Sequence, residues 1–489
     1  MKYTKIALNL FVAVMLSALT GCQSPKKAKP PLTLNNHGAP AGHLNARATT
    51  DDVKKSIIYQ LMIQSFTSEG TFKKAMYLLP HIKSTGANIV YLCPIVEADD
   101  DLNQQFWSPR QKKSQLNNPK NPYRMKDYYK LEPAFGSEDD FKKFVAEAHK
   151  LGLKVILDLV YYHCGPKASF IKDNPDFVVR DEDGKIKNGL WCFPELNFKN
   201  PQLREYLWQN MEYFVKKFDV DGYRTDVEFA VPADFWAEGY KRIKKIKPDV
   251  FMLAESERPS SQVDAYDACY SFKWTNATKN VYLGRKPAKN LRETWEKQAK
   301  EMAKGSRLLR CLDNHDTVTD SCTSKTCKFQ RFEKTFGHRG IDSVLVLNYT
   351  IDGIPMIWSG NEFVDDSRLS LFSTPKYGRL IVGWENLSTK CGQARMKLVK
   401  KLADMRKTNV ALWKGETIWI DNTNDKSVVS FARKFENQEV VVVINATNAP
   451  VEAEVKTCTK GMSELLKYGC QADKNKFKLQ PYGYIVLKK

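Results

Sequence analysis

The chain lacks the cysteine and histidine spacing of a zinc protein. Its 11 cysteines include no CxxC pair and its 7 histidines no pair at ligand spacing, which makes a zinc site a weak alternative. No nucleic-acid-binding motif is present, and the lysines behind the net charge of +20 are scattered rather than striped. Nucleic acid is therefore not an expected partner. The charge indicates either a solvated lysine-rich surface or attraction to anionic membrane headgroups.

Long apolar runs are also missing, except at the amino terminus. A composition of 42% hydrophobic and 27% charged residues is that of a globular protein, not of a disordered or multi-span membrane one. The exception is the stretch 6–19, which follows Lys2 and Lys5 and is too short for a stable membrane span. It leads into Leu-Thr-Gly-Cys at 19–22, which resembles a bacterial lipobox. We expect a signal peptide over 1–21 and lipidation of Cys22; a plain secretory signal beside a chance cysteine is the alternative.

The next residues predict a flexible tether over 22–50, because they are rich in Pro, Lys, Asn, Gly and Ala and show no periodicity. Gln23 and Ser24 follow Cys22, so no Asp is present there. By resemblance to known sorting signals, this favours the outer membrane, on either its periplasmic or its cell-surface face.

Export permits disulfides, although the sequence does not fix their connectivity. Cys93 and Cys311 lie in strand-like apolar runs and are expected to be buried free thiols. Three pairs could each staple a loop: Cys322 with Cys327, Cys458 with Cys470, and Cys164 with Cys192.

From about residue 55 apolar strand-like runs alternate with amphipathic helical stretches such as 71–85, 139–151, 202–217 and 233–246. Eight β/α repeats over about 350 residues predict a (β/α)₈ TIM barrel. An open doubly wound sheet is the alternative, but it lacks a glycine-rich phosphate turn after its first strand. The predicted strands are 57–63, 89–93, 154–160, 222–227, 250–254, 268–272, 308–312 and 356–359.

Two long loops interrupt the repeat, 95–135 after the second strand and 164–200 after the third. Long loops at the carboxyl ends of barrel strands usually shape a site. The second loop is expected to form a short inserted subdomain, domain B, within a barrel over 51–411. Short alternating runs then predict a C-terminal antiparallel β-sandwich domain over 412–489.

Three acidic residues, Asp226, Glu255 and Asp316, stand at or just past the ends of predicted strands. Their runs are DGYRTDVEF (221–229), VFMLAESE (250–257) and RLLRCLDNHD (307–316). A carboxylate there is costly to bury, yet this is where catalysis sits in a barrel of parallel strands. Three carboxylates from different strands suggest a reaction that needs both an acid and a nucleophile, as cleavage of a glycosidic bond does.

The order of motifs resembles glycoside hydrolase family 13, the α-amylase family, over roughly residues 55–489. The resemblance implies a barrel with a C-terminal β domain and cleavage of α-glucosidic bonds. It rests on the three acidic runs, with LDNHD at 312–316, and on IIYQLMIQSFTSEGTF (57–72), NPYRMKDYY (121–129), KVILDLVYYH (154–163), FPELNFKNP (193–201) and GIPMIWSGNE (353–362).

The resemblance assigns roles to the three acids. It makes Asp226 the nucleophile, Glu255 the general acid/base, and Asp316 the carboxylate that holds sugar hydroxyls and stabilises the transition state. Arg224 lies two residues before Asp226, so it shares a strand face with it and would keep its carboxylate ionised. Glu257 is a rival for the acid/base, and Asp316 could instead belong to a helix cap.

The same resemblance assigns supporting roles. Tyr123 would stack on the sugar, His163 and His315 would bind its hydroxyls, and Asp158 would support Arg224. Trp107 and Trp191 lie on the two long loops, where they either stack on further sugars or merely pack those loops.

Departures from the family pattern bear on calcium and on the leaving sugar. The family's calcium-binding Asn is replaced by Tyr162, and Glu195 stands where Asp is usual. Calcium is therefore disfavoured, no cofactor is predicted with certainty, and the metal content is unknown. Phe229 and Ala230 replace the Lys-His that often holds the leaving sugar, so chain-length preference does not carry over. The short excursion after the third strand suggests an open cleft.

The sequence therefore predicts a retaining hydrolase of α-1,4 links in starch-like or maltooligosaccharide chains. Its expected contacts are the glucan and, through the lipid anchor only, a membrane; no protein partner is indicated. A transglycosylase or isomerase on the same scaffold is the enzymatic alternative. A non-catalytic glycan-binding surface lipoprotein is the other, and the intact acidic set argues against it.

Overall fold

A computed structural model describes residues 39–318 and 331–489. The predicted signal peptide, Cys22, the first part of the tether, and the cysteine pair Cys322 and Cys327 lie outside these residues. Within the described ranges no helix has the length and apolar character needed to cross a membrane.

The described residues contain sixteen strands, of which eight parallel ones form the barrel. In chain order the strands are β1 (Ile58–Leu61), β2 (Ile89–Leu92), β3 (Val96–Ala98), β4 (Met125–Leu131), β5 (Lys154–Leu159), β6 (Gly222–Thr225), β7 (Phe251–Ala254), β8 (Ala268–Cys269), β9 (Leu309–Arg310), β10 (Ile354–Trp358), β11 (Glu416–Trp419), β12 (Val428–Phe435), β13 (Gln438–Asn445), β14 (Val451–Glu454), β15 (Ser463–Asp473) and β16 (Lys476–Lys488).

The predicted TIM barrel is confirmed. Its strands follow the order β8-β7-β6-β5-β2-β1-β10-β9; seven of the predicted runs contain one of them, and the eighth, 356–359, overlaps β10, which begins two residues earlier at Ile354. The ring closes between β8 and β9, where Cys269 N–H donates to the carbonyl of Arg307 at 3.1 Å. Ile58, Ile156 and Leu253 belong to the buried cluster inside the ring, whereas one larger cluster of aliphatic and aromatic residues packs the strands against the helices.

The helices surround the barrel, and several of them begin at side-chain caps. Ser137 and Asp140 form a reciprocal capping box at the predicted helix that starts near 139. The predicted helix 71–85 is divided in two, because Pro80 occupies the first turn of the second piece, where proline is favourable. The helices are α1 (Asp51–Lys55), α2 (Ile63–Phe66), α3 (Phe72–Met76), α4 (Leu79–Ser84), α5 (Pro109–Ser114), α6 (Glu138–Lys150), α7 (Pro201–Phe218), α8 (Ala233–Ile246), α9 (Ser261–Asp264), α10 (Phe272–Tyr282), α11 (Asn290–Glu301), α12 (His315–Val318), α13 (Phe332–Thr350), α14 (Lys390–Thr408) and α15 (Ala411–Lys414).

The excursion 95–135 is a packed structure built on the β3–β4 hairpin and α5. Arg124 is buried at its centre, and its guanidinium donates to the backbone carbonyls of Phe106, Asp99, Asp101 and Pro119. These four bonds fix the segment that carries Tyr123, which enters the site described below.

The C-terminal strands β11 to β16 form an antiparallel domain, as predicted. All six are hydrogen-bonded in one sheet through the long β16, which pairs with β13, β14 and β15. Tyr482 in β16 has a left-handed backbone (φ 56°), and residues on both sides of it belong to one apolar cluster.

The cysteines of the described residues are all unpaired. The expectation of buried free thiols at Cys93 and Cys311 is confirmed. The suggested pairs Cys164–Cys192 and Cys458–Cys470 are not formed, so these loops are held by backbone pairing and packing instead.

Candidate active site

Arg224 stands at the centre of the predicted carboxylate group. It projects from β6 and is fully buried. One guanidinium nitrogen, Nη1, donates to Asp158 Oδ1 at 2.6 Å and to Asp226 Oδ1 at 2.8 Å. The other, Nη2, forms an ion pair with Glu255 Oε1 at 2.7 Å. Carboxyl groups from the ends of three adjacent strands, β5, β6 and β7, are thus gathered on one cation.

The second carboxylate oxygen of Asp158 is hydrogen-bonded as well. The phenols of Tyr91 and Tyr123 donate to its Oδ2 at 2.7 Å and 2.8 Å. Both oxygens of Asp158 are therefore engaged, one by Arg224 and the other by two tyrosines. A carboxylate held in this way is suited to orient Arg224 rather than to attack a substrate.

Val227, directly after Asp226, has a left-handed backbone with φ 46°. This conformation is an outlier for a β-branched residue, and such strain costs about 1–3 kcal/mol. Its consequence is visible at Glu255, because the Val227 N–H donates to Glu255 Oε2 at 2.9 Å. The turn after the strand thus places Asp226 and also positions the partner carboxyl group.

Burial dominates the protonation of the two central acids. Burial raises the pKa of Asp226 to about 7, against the opposing effect of Arg224. Burial also raises the pKa of Glu255 well above its usual range, again against Arg224 and with repulsion from Asp226. One cation shared by these acids and Asp158 cannot balance three negative charges, so a proton is retained, and Glu255 is its more favourable carrier.

His163 is neutral and presents a free acceptor. Burial lowers the pKa of His163 to about 4. Its Nε2 lies 2.7 Å from the carbonyl of Tyr123, which requires the proton on Nε2. Nδ1 is left with a lone pair, and no partner for it exists among the described residues. That atom can accept a hydrogen bond from a hydroxyl group.

His315 is held between an amide and an aromatic ring. Gln60 Nε2 lies 2.8 Å from His315 Nδ1, so Nδ1 accepts and Nε2 carries the proton. The Tyr123 ring stacks on the imidazole, with centroids 5.1 Å apart and planes 8° apart. Burial lowers the pKa of His315 to about 4, despite the opposing charge of Asp316.

Asp316 is the most accessible of the three predicted acids, with a side chain 39% exposed. Its Oδ1 accepts from Arg110 Nη1 at 2.6 Å, and Arg110 Nη2 donates to the His315 carbonyl at 2.8 Å. Burial opposes ionisation, but the interactions with His315 and with Arg110, which also donates a hydrogen bond, outweigh it and lower the pKa of Asp316. Asp316 is therefore a permanent anion at the open side of the group.

Glu257, the rival for the acid/base, lies in a different environment. Its Oε1 accepts from Gln298 Nε2 at 2.8 Å and from the Lys273 N–H at 3.0 Å. These partners belong to α11 and α10, on the helical side of the barrel wall. Burial raises the pKa of Glu257 to about 7, but it makes no contact with Arg224 and does not join the carboxylate group.

Comparison with known proteins decides the family. The model of the α-amylase catalytic domain matches residues 47–183 and 186–367. The chain belongs to the α-amylase family. The match confirms the resemblance to glycoside hydrolase family 13 and the expectation of an α-amylase-like glycoside hydrolase.

Individual relatives are distant. The chain is 22% identical to "Alpha-amylase 2" of Dictyoglomus thermophilum over 80% of this chain and 69% of that protein. It is 25% identical to a cyclomaltodextrinase of Thermoanaerobacter pseudethanolicus, over 84% and 69%. Among solved structures, a maltogenic α-amylase of Thermotoga neapolitana superposes with a TM-score of 0.73 at 22% identity, covering 90% of this chain and 99% of the other. At this identity the superposition establishes the fold alone.

The calcium site that the family implies does not fit the residues present. Tyr162 replaces the amide ligand, and burial, together with the charge of Glu195, raises the pKa of its phenol. A neutral phenol is a poor ligand for calcium, which prefers carboxylate and carbonyl oxygens. No group of three or more His, Cys, Asp or Glu side chains that could hold a metal occurs within 39–318 or 331–489.

The two loop tryptophans of this α-amylase family member differ in environment. Trp107 is 5% exposed, and its indole N–H donates to the Asp101 carbonyl at 2.9 Å, so it packs the first excursion. Trp191 is 42% exposed on a left-handed backbone (φ 60°), with its ring 5.9 Å from that of His163. Of these two tryptophans, Trp191 is the one that offers an open aromatic surface near the site.

Sequence reasoning missed three residues that touch the predicted set: Arg110, Gln60 and Tyr91. Gln60 and Tyr91 lie on β1 and β2, and their signal was a polar residue in an otherwise apolar strand. Arg110 gave no such signal, because it lies 206 positions from Asp316 in an excursion without periodicity.

Proposed function

We propose that this protein is a retaining α-glucan hydrolase that cleaves α-1,4 links in starch-like or maltooligosaccharide chains by double displacement. The observation that supports it most is the placement of Asp226 and Glu255 on the two Nη nitrogens of one buried arginine. This arrangement orients an anion and a protonated carboxyl group from adjacent strands towards the same space. A retaining glycosidase needs two such groups, with their carboxyl groups about 5–5.5 Å apart.

The steps follow from the protonation of the two groups. Glu255 donates its proton to the leaving oxygen while Asp226 attacks the anomeric carbon and forms a glycosyl ester. Glu255, now ionised, takes a proton from water, which attacks the same carbon and releases Asp226. Asp316 and the Nδ1 of His163 are placed to bind hydroxyls of the reacting sugar.

The test is a reducing-sugar assay on soluble starch and on maltooligosaccharides. Asp226→Asn is expected to abolish turnover and keep the melting temperature. Glu257→Gln is the matched control, since it removes a buried carboxylate from the same barrel end without touching Arg224. Equal activity of Asp226→Asn and wild type would overturn the assignment, as would a first product of β configuration. Longer products or a rearranged disaccharide would indicate transglycosylation or isomerisation instead.

We further propose that the enzyme is a lipoprotein anchored through Cys22 in the outer membrane. The Leu-Thr-Gly-Cys sequence after the apolar stretch supports this, and the absence of Asp after Cys22 favours the outer membrane. In a bacterial host, labelled palmitate should be incorporated into the wild type and not into Cys22→Ala. Incorporation into both proteins would rule out this anchor.

A further inference from the structure

The chain enters the fold on the face of the barrel where the strands begin. The Ala41 N–H donates to the Glu301 carbonyl at 2.7 Å, and the Ala46 N–H donates to the Lys304 carbonyl at 2.8 Å. Arg47 forms an ion pair with Asp267, which directly precedes β8, at 2.5 Å. The catalytic group lies at the opposite ends of the strands. The entry point and the mouth of the site therefore lie on opposite faces.

A lysine-rich surface lies beside this entry face. Five exposed lysines form it, and we call them the basic patch: Lys83 on α4 and Lys397, Lys400, Lys401 and Lys407 on α14. Three of them line one shallow cavity of about 380 Å³, whose apolar wall is Met405 and Leu465. The apolar residues of α14 are buried against the protein, so the helix presents its lysines outwards as a cationic surface, which attracts anionic lipid headgroups.

The charge of the basic patch is largely uncompensated. Asp404 is the only acid lining the cavity, and it is paired with Lys400 at 2.8 Å. Among the described residues, Lys397, Lys401 and Lys407 have no ion-pair partner within 4 Å. Burial and repulsion from Lys83 and Lys400 lower the pKa of Lys407. A surface anion would relieve this repulsion.

The end of α14 connects the basic patch to the entry of the chain. Arg406 Nη2 donates to the Lys54 carbonyl at 3.1 Å, and Lys54 belongs to α1, which follows the entry segment. From Cys22 to Ala39, the first described residue, there are 39 − 22 = 17 residues. Fully extended, that length spans at most about 60 Å. That length lets this face reach the bilayer that holds a lipid at Cys22.

We propose that the basic patch docks on an anionic lipid surface and turns the mouth of the active site away from the membrane. The orientation rests on the lipid anchoring proposed above, whereas the electrostatic binding does not require it. Docking through the lysines of the basic patch brings a larger area of the protein into contact with the membrane than a lipid anchor alone would. It leaves the mouth of the site facing away from the lipid, where a long glucan can enter.

The test uses soluble protein that begins at Gln23, which retains every described residue. It is sedimented at low salt with vesicles of phosphatidylcholine alone or of a two-to-one mixture with phosphatidylglycerol. Binding is expected to the mixed vesicles only, and added salt should weaken it. Replacing Lys83, Lys397, Lys401 and Lys407 by Glu should reduce binding at least about tenfold.

The matched control reverses four exposed lysines of the 164–200 loop, on the mouth side: Lys172, Lys185, Lys187 and Lys199. It makes the same change in net charge and is expected to keep vesicle binding. Equal losses in the two variants, or binding of dextran sulfate in preference to vesicles, would overturn the proposal. If the glutamates lower the melting temperature, the same four positions are changed to Gln and compared. Starch hydrolysis, measured in parallel, reports separately on the proposed function.

Discussion

Replacing Arg110 tests whether the first excursion contributes to the chemistry. Arg110 donates to Asp316 Oδ1 at 2.6 Å and to the His315 carbonyl at 2.8 Å, so it holds the carboxylate expected to bind the sugar. A hydrogen bond to a charged group contributes about 1.5–3 kcal/mol when buried and an exposed ion pair about 0.2–1 kcal/mol. The two side chains are 19% and 39% exposed, which places the contact between these limits.

We therefore expect Arg110→Gln to lose about 1–2 kcal/mol of transition-state stabilisation, or about 5–30-fold in kcat/KM. Arg110→Lys should recover part of this loss, since one ammonium group can replace one of the two contacts. Initial rates at low maltooligosaccharide concentration measure kcat/KM directly. Lys112→Gln is the control, because it removes an exposed positive charge from the same helix, α5.

Three results would count against this reasoning. Equal kcat/KM values for Arg110→Gln and Lys112→Gln would mean that the contact has no part in catalysis. A higher kcat/KM for Arg110→Gln would mean that Arg110 competes with the sugar for Asp316 instead of positioning it. A lower melting temperature for Arg110→Gln alone would assign the loss to folding of the excursion.

Three further outcomes are expected. The nucleophile must be ionised, and burial raises the pKa of Asp226 to about 7, so kcat/KM should rise with pH through neutrality. It should fall only at higher pH, where Glu255 loses its proton. An acid limb of the pH profile near the ordinary Asp pKa of about 4 would contradict this. EDTA should change neither the rate nor the melting temperature, because Tyr162 replaces the family's calcium ligand, and a loss restored by calcium would show an unrecognised site. Trp191→Ala should raise KM on long substrates at unchanged stability, whereas Trp107→Ala should cost about 3–5 kcal/mol of folding stability. Thermal melts and kinetics measure the two effects, and the reverse pattern would exchange the roles of the two residues.

The barrel and its acidic residues were predictable because each carries a local signal. A buried parallel strand is a short apolar run, and a carboxylate at its end breaks that pattern. Asp226 and Glu255 are of this kind, and the structure brings both to Arg224. The closing strands β8 and β9 are only two residues long in the structure, yet their apolar runs were long enough to be recognised.

The excursions were less predictable, because their order comes from contacts distant in sequence. Arg124 organises the first one through four backbone carbonyls, and backbone carbonyls leave no mark in a sequence. The different environments of Trp107 and Trp191 could not be separated either. What distinguishes them is an indole hydrogen bond in one and a left-handed backbone in the other.

The division of labour between the two central acids follows from the charge around Arg224. A nucleophile and a general acid need opposite protonation states at the same pH, although both are carboxylic acids buried at similar depth. Asp226 faces the Nη1 nitrogen that also serves Asp158, whereas Glu255 receives Nη2 and the Val227 N–H. Since one cation cannot support three anions in a buried site, the group retains a proton. Burial raises the pKa of both acids, and at Glu255 repulsion from Asp226 adds to the rise, so the proton resides on Glu255 and the charge on Asp226. Replacing Arg224 by a neutral side chain that keeps the hydrogen bonds is therefore expected to remove the difference in protonation between Asp226 and Glu255 before it disturbs the fold.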